Sequence, residues 1–104
     1  MSNLTIWPEL SKIAERTAKR FGLRLRGLRP ITNQRARVYG FCTPDGWIEL
    51  RVHVLNRPRE PLSRAHLLKI LAHELAHLKD ASHGAAWKEM RQAVLNWWRD
   101  EGWI

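Results

Sequence analysis

His73-Glu74-Leu75-Ala76-His77, followed by His83-Gly84, is the stretch of this chain whose residue types and spacing can do chemistry. Residues four apart on a helix project from one face, so His73 and His77 can reach a single metal ion together. Glu74 then lies beside that ion rather than on it, where the general base of a metal-assisted hydrolysis belongs. Zinc held by three protein ligands keeps a fourth position for water and lowers that water's pKa toward neutrality. The spacing predicts a mononuclear site in which His73, His77 and His83 hold one Zn2+ and Glu74 is the catalytic base.

Two elements must position these groups. Leu67-Leu68-Lys69-Ile70-Leu71-Ala72 and Leu78 flank the motif, which predicts a buried helix on which unpaired histidines and a glutamate would be costly. Six residues advance a helix by about 600°, so His83 cannot share a face with His77. The chain must turn between them, and Asp80, Ser82 and Gly84 have the chemistry for it. A second amphipathic helix then begins, with Trp87, Met90, Arg91, Val94 and Trp98 at helical spacing. Short motifs of this kind also arise by chance on amphipathic helices. A purely structural zinc is usually closed by four Cys or His ligands, and the local motif offers no fourth. The hydrolase reading is favoured over both. Glu89 is the alternative to His83 as third ligand. No oxyanion stabiliser stands out: Tyr39 is the single tyrosine, and His53, His66 or an arginine are the substitutes.

Upstream, Ile6, Leu10, Ile13, Ala14, Thr17 and Phe21 recur at helical spacing, with Pro8 in the first turn and Gly22 past the end. Leu23, Leu25 and Leu28 alternate with arginines in an extended segment ending at Pro30. Residues 36–42 and 47–55 read as two strands joined by the turn Thr43-Pro44-Asp45-Gly46. In the second, Ile48, Leu50, Val52 and Val54 share one face, opposite Trp47, Glu49, Arg51 and His53. A free edge along 47–54 would align substrate by strand addition. Residues 56–61 read as a loop because Pro58 and Pro61 cannot donate to a ladder, and Ser63 caps the metal helix. His66 sits about 10 Å along the helix from His73, too far for the same ion. The expected fold is α+β: N-terminal helix, small antiparallel sheet, HExxH helix and C-terminal helix, in a single domain over 1–104.

A net charge of +8 favours acidic partners, nucleic acid first. Arg29, Arg35 and Arg37 extend a basic cluster formed by Lys12, Arg16, Lys19, Arg20, Arg24 and Arg26, and these last six are the candidate DNA contacts. A solvated face that keeps a small protein soluble is the competing reading. Cys42 is alone, so no intrachain disulfide forms; no signal peptide or membrane span is apparent, and a cytoplasmic protein is expected. Most of the six tryptophans are expected in the core. The sequence carries no signal for oligomeric state.

The run from His73 to Lys79, taken with His83-Gly84-Ala85-Ala86-Trp87-Lys88-Glu89-Met90, resembles the SprT-like and YgjP-like zinc metallopeptidases, compact members of the zincin superfamily. Residues 38–50 resemble the hairpin that precedes the active-site helix in those families. The spacing from His77 to His83 is that of the YgjP-like pattern; SprT-like families usually carry a longer insertion there. Metzincins have a glycine where this chain has Asp80. The resemblance implies zinc on His73, His77 and His83, Glu74 as base and proton shuttle, and Trp87 packed behind the third ligand. It also brings a link to DNA, since the SprT-like Spartan proteases degrade proteins crosslinked to DNA. Three functions are consistent with all of this. One is a zinc metallopeptidase that hydrolyses peptide bonds through a Glu-activated zinc-bound water and is recruited to DNA by its basic face. The others are a basic nucleic-acid-binding module with a non-catalytic zinc site, and a regulatory protease with one dedicated protein partner.

Overall fold

The computed structural model describes residues 3–31 and 38–104. A 3-10 turn, Asn3–Ile6, leads into helix α1, Trp7–Phe21. Pro8 is tolerated in its first turn, where backbone N–H groups have no helical partner anyway. The helix stops at Gly22, whose left-handed backbone (φ 66°) lets its N–H reach the Ala18 carbonyl. Leu10, Ile13, Ala14, Thr17 and Ala18 form the buried face, and Lys12, Arg16, Lys19 and Arg20 are exposed.

Three short strands follow: β1, Gly27–Pro30; β2, Gly40–Cys42; and β3, Trp47–Leu50. Leu23 and Leu25 lie before β1 and pack half-buried against the core, so pairing begins later than the alternation of residues suggested. The β2–β3 turn needs Gly46: at φ 98°, a Cβ there would also sit 2.6 Å from the Arg24 carbonyl oxygen. The strand order is β1-β3-β2, with β2 antiparallel and β1 parallel to β3. The sheet is therefore small, as expected, but mixed rather than antiparallel. A hairpin is written in its turn, whereas the partner of β1 is chosen by where the chain returns. β3 lies in the centre with both edges occupied, so the expected substrate-aligning edge along 47–54 is not free within the sheet.

The strand expected over 47–55 breaks after Leu50. Arg51 is buried, with its Nε donating to the Val38 carbonyl at 3.0 Å and its backbone N–H to Tyr39 at 2.8 Å. Beyond the break, β4 (His53–Val54) pairs antiparallel with β5 (Arg57–Pro61) in a separate two-stranded ribbon. The expected loop at 56–61 is thus largely a strand. Its prolines are tolerated because β5 has a partner on one side alone among the described residues.

Helix α2, Arg64–His77, begins at Ser63, whose Oγ accepts the His66 N–H at 3.1 Å as a capping residue should. Helix α3, Ala85–Asp100, packs along it, and α2 also touches β2, β3 and α1. One core joins all of them, built from Leu10, Ile13, Ile48, Leu50, Leu67, Leu71, Leu75, Val94 and Trp98. Trp98 is fully buried; its Nε1 donates to Thr17 Oγ1 at 2.8 Å, and that hydroxyl donates to the Ile13 carbonyl at 2.6 Å. Trp97 meets Phe21 and Trp103 edge-on, while Arg64 binds both the Trp103 carbonyl and Glu9 at 2.6 Å, folding the C-terminus back. The fold is α+β, with the motif-bearing helix at its centre.

Candidate active site

The last turn of α2 presents His73 and His77 side by side, their Nε2 atoms 3.2 Å apart. The helix ends at Leu78, and the following loop turns back on itself. Asp80 drives that turn, its carboxylate accepting the Ser82 N–H and hydroxyl, each at 2.9 Å, while the Gly84 N–H donates to Ser82 Oγ at 3.1 Å. His83 is thereby delivered to the pair, with its Nε2 3.1 Å from that of His77 and 3.3 Å from that of His73. Trp87, in the first turn of α3, packs against all three imidazoles, with ring centroids 4.8, 5.5 and 4.7 Å from those of His73, His77 and His83. Its Nε1 donates to the His73 carbonyl at 3.1 Å, pinning α3 to the turn that carries the cluster.

Three ring nitrogens this close cannot satisfy one another, because one proton bridges one pair and leaves the remaining lone pairs opposed. A metal ion resolves the conflict. Ligands at about 2.0–2.1 Å from a tetrahedral centre stand roughly 3.3–3.4 Å apart, close to the spacing here. His77 Nδ1 faces the Asp80 carbonyl oxygen at 3.1 Å, which requires an N–H there and leaves the Nε2 lone pair aimed at the cluster. Burial holds His73 below the ordinary imidazole pKa, helped by the charges of His77, His83 and Arg91, so its neutral, ligating form is favoured. The donor set fits a zinc-type ion. Among the described residues no other His, Cys, Asp or Glu joins this group. Glu89, the alternative third donor, is exposed on α3 and lies outside it. His53 and His66 also lie outside it.

Glu74, on the same turn, is 6% exposed and lines a cleft of about 690 Å³ together with the three histidines. Burial pushes its carboxyl above the usual carboxylate range, and the charge of His77 opposes that rise. The facing wall is β2 and the turn after it, from Gly40 through Phe41, Cys42 and Thr43 to Pro44. β2 is an outer strand among the described residues, so the edge available for strand addition belongs to β2 and not to β3. Gly40 lets that strand approach α2 closely, since a Cβ there would lie 2.8 Å from Ile70 Cγ2 and 3.3 Å from Glu74 Cγ. The Cys42 thiol is pushed up by burial, then by the charges of Glu74 and Asp45, and stays protonated.

Of the oxyanion candidates, Tyr39 uses its hydroxyl to accept the Leu55 N–H at 3.1 Å and leans on His66 at 5.7 Å between ring centroids. Arg91, on α3, has its guanidinium carbon 5.9 Å from the Trp87 ring centroid. Gly40, Cys42 and Arg91 gave no functional signal in the sequence: a lone glycine, a lone cysteine and one arginine among many are uninformative until the fold gathers them. Lys12, Arg16, Lys19, Arg20, Arg24 and Arg26 are all exposed. Arg29 instead pairs with Glu49 at 3.2 Å and covers the Trp47 ring at 4.4 Å, and Arg35 and Arg37 lie outside the described residues. No described helix is long and apolar enough to cross a membrane.

A buried helix carrying two imidazoles and a carboxylate, completed by a third imidazole from a returning loop, defines a small metal-dependent peptidase domain. The sequence matches the family described as YgjP-like, metallopeptidase domain, over residues 5–102, and the chain belongs to that family. Two solved structures from Saccharomyces cerevisiae, Wss1 and a Wss1 mutant, share the fold with TM-scores of 0.81 and 0.82. Each is 16% identical and covers 97% of this chain, which in turn spans 81% and 83% of theirs. No curated protein sequence gives a significant match. Membership of a metallopeptidase family makes the protein a protease that uses a metal, for which the three-histidine cluster is a fitting place.

Proposed function

We propose that this chain is a zinc peptidase of the HExxH type, with one zinc ion held by His73, His77 and His83 and with Glu74 as its base. The observation that carries the reading is the convergence of three Nε2 atoms within 3.1–3.3 Å beside a buried carboxylate in one cleft. Bound zinc supplies Lewis acidity, which acidifies a water and polarises the scissile carbonyl. Everything else falls to the chain. A substrate strand lies along β2, placing its carbonyl over the end of α2. Glu74 takes a proton from the attacking water and passes it to the leaving amine, and its burial-raised pKa makes it a stronger base for the first transfer. The Asp80 carbonyl fixes the tautomer of His77, and Trp87 walls off the far side of the cluster.

The basic residues Lys12, Arg16, Lys19, Arg20, Arg24 and Arg26 would recruit this peptidase to proteins on DNA by neutralising phosphates. In support, all six are exposed and none forms an ion pair among the described residues. The same reading places the protein in the cytoplasm, where a lone thiol stays reduced. Glu74→Gln is the deciding variant. It should keep one zinc per chain and its DNA affinity while losing peptide cleavage. Cleavage at the wild-type rate would remove Glu74 as base. Wild-type protein that holds zinc and DNA but cleaves no peptide would leave the non-catalytic module, and cleavage confined to one protein would favour the dedicated-partner protease. DNA binding that weakens with salt supports recruitment, and no binding at low salt ends it.

A further inference from the structure

The cleft does not end at Glu74. Past Gly40 it opens into a second hollow of about 380 Å³, which shares Gly40, His73 and Glu74 with the first and is otherwise walled by Tyr39, His66, Lys69, Ile70 and Arg91. Lys69 stands exposed on α2, one turn before His73, and the half-buried Arg91 reaches in from α3. Neither forms an ion pair among the described residues. Glu74 is the one acid on these walls. Two basic side chains therefore line a concave space whose other walls include Ile70 and Tyr39.

A peptide advancing along β2 gains about 3.3 Å per residue and alternates its side chains, so a residue near the scissile bond comes to this hollow once the chain passes Gly40. We propose that the hollow is a substrate subsite for a carboxylate, bound by Lys69 and Arg91. The inference rests on the peptidase reading and adds to it the class of substrate: peptides bearing an acidic group beside the bond that is cut. Arg91 supplies a planar fork suited to a carboxylate, and Lys69 a mobile point charge at the rim. Ile70 and Tyr39 give the methylene stem of a Glu or Asp something apolar to lie on. The carboxylate can come from an acidic side chain or from the C-terminus of the peptide, and the test separates them.

The experiment measures binding of labelled peptides to zinc-loaded Glu74→Gln protein by fluorescence anisotropy. One series moves a single Glu, or a matched Gln, through successive positions of a neutral peptide; a second compares a C-terminal acid with its amide. At one position Glu should bind about tenfold more tightly than Gln, as expected for a charge-assisted contact that is partly solvated. If the terminus is the ligand, the preference appears instead between acid and amide. Lys69→Gln, at an exposed site where folding is not at risk, should cut the ratio, and adding Arg91→Gln should bring it near one. Equal binding of Glu and Gln at every position, with acid and amide alike, overturns the proposal. So does a preference untouched by Lys69→Gln and Arg91→Gln, or an oligonucleotide that displaces the acidic peptide and loses its own binding in those variants. An Arg91→Gln enzyme whose kcat falls equally on Glu and Gln peptides with the ratio unchanged would move Arg91 to the reacting carbonyl and also overturn it. Failure of wild-type protein to cut peptides that Glu74→Gln binds would count against the peptidase reading alone, because the binding ratios still report on the hollow.

Discussion

Gly40→Ala should damage the enzyme without touching a metal donor. Gly40 is not at positive φ, so alanine meets no backbone penalty there and the effect is one of space. The added methyl carbon would lie 2.8 Å from Ile70 Cγ2, 3.2 Å from the Glu49 carbonyl oxygen and 3.3 Å from Glu74 Cγ. Ordinary contact begins near 3.4 Å, so the first distance is short by about 0.6 Å. Ile70 is half-buried and can partly yield, but Glu49 belongs to the backbone of β3, which is paired to β2. The strain is relieved by moving β2 off α2, or by moving Glu74, a few tenths of an ångström. Overpacking of this kind costs about 1–3 kcal/mol, which lowers Tm by roughly 4–8 °C per kcal/mol in a domain of this size. A base displaced by a few tenths of an ångström should lose on the order of threefold to tenfold in kcat, since a misplacement of about 1 Å can cost about 100-fold. The assay is a thermal melt, a zinc stoichiometry and a kcat on one peptide for each protein. Wild-type kcat together with wild-type Tm would refute the packing of β2 on the base. Loss of zinc in proportion to activity would instead place Gly40 behind the ligands.

Three further outcomes follow from particular contacts. Thr17→Val leaves the buried Trp98 N–H without its acceptor and should cost about 1–3 kcal/mol in urea denaturation; a loss under about 0.5 kcal/mol would mean the indole finds another partner. His83→Ala should lose most of its bound zinc while Glu89→Ala keeps it, and chelation should lower the melting temperature of wild-type protein but not of His83→Ala; the reverse pattern of occupancy would hand the third ligand to Glu89. The Asp45 carboxyl sits below the ordinary aspartate value of 3.8, held there first by the Thr43 hydroxyl and then by its own backbone N–H and by Arg26 and Arg29. A depressed pKa stabilises the fold above 3.8, and that contribution disappears as pH falls through the lower folded value. Carboxyl NMR titration should show Asp45 below free aspartate and moving up in Thr43→Val, and an unchanged midpoint would contradict the assigned cause.

Much of the molecule is written in short-range pattern. The limits of α1, the Ser63 cap, the Asp80–Gly84 turn and the shared face of His73 and His77 all depend on residues within one or two turns of each other. Backbone geometry converts such spacings directly into position, so no knowledge of the rest of the chain is needed. The arrival of His83 was legible only as a need for a turn; its distance from the other rings is set by the loop's own hydrogen bonds and by Trp87. The parallel pairing of β1 with β3, the inward Arg51 that breaks the strand, and the β5 ribbon carry no local signature. Strand partnership depends on which distant segment returns to the same edge, and a proline pattern that argues for a loop is overruled where that edge needs no donor. The same holds for the cleft. Sequence named the candidate reacting groups because their chemistry is periodic on one helix, while packing decided that β2 comes close to Glu74 at Gly40 and that Lys69 and Arg91 line one hollow. Those contacts join residues far apart in the chain, and only burial of a common core brings them within reach.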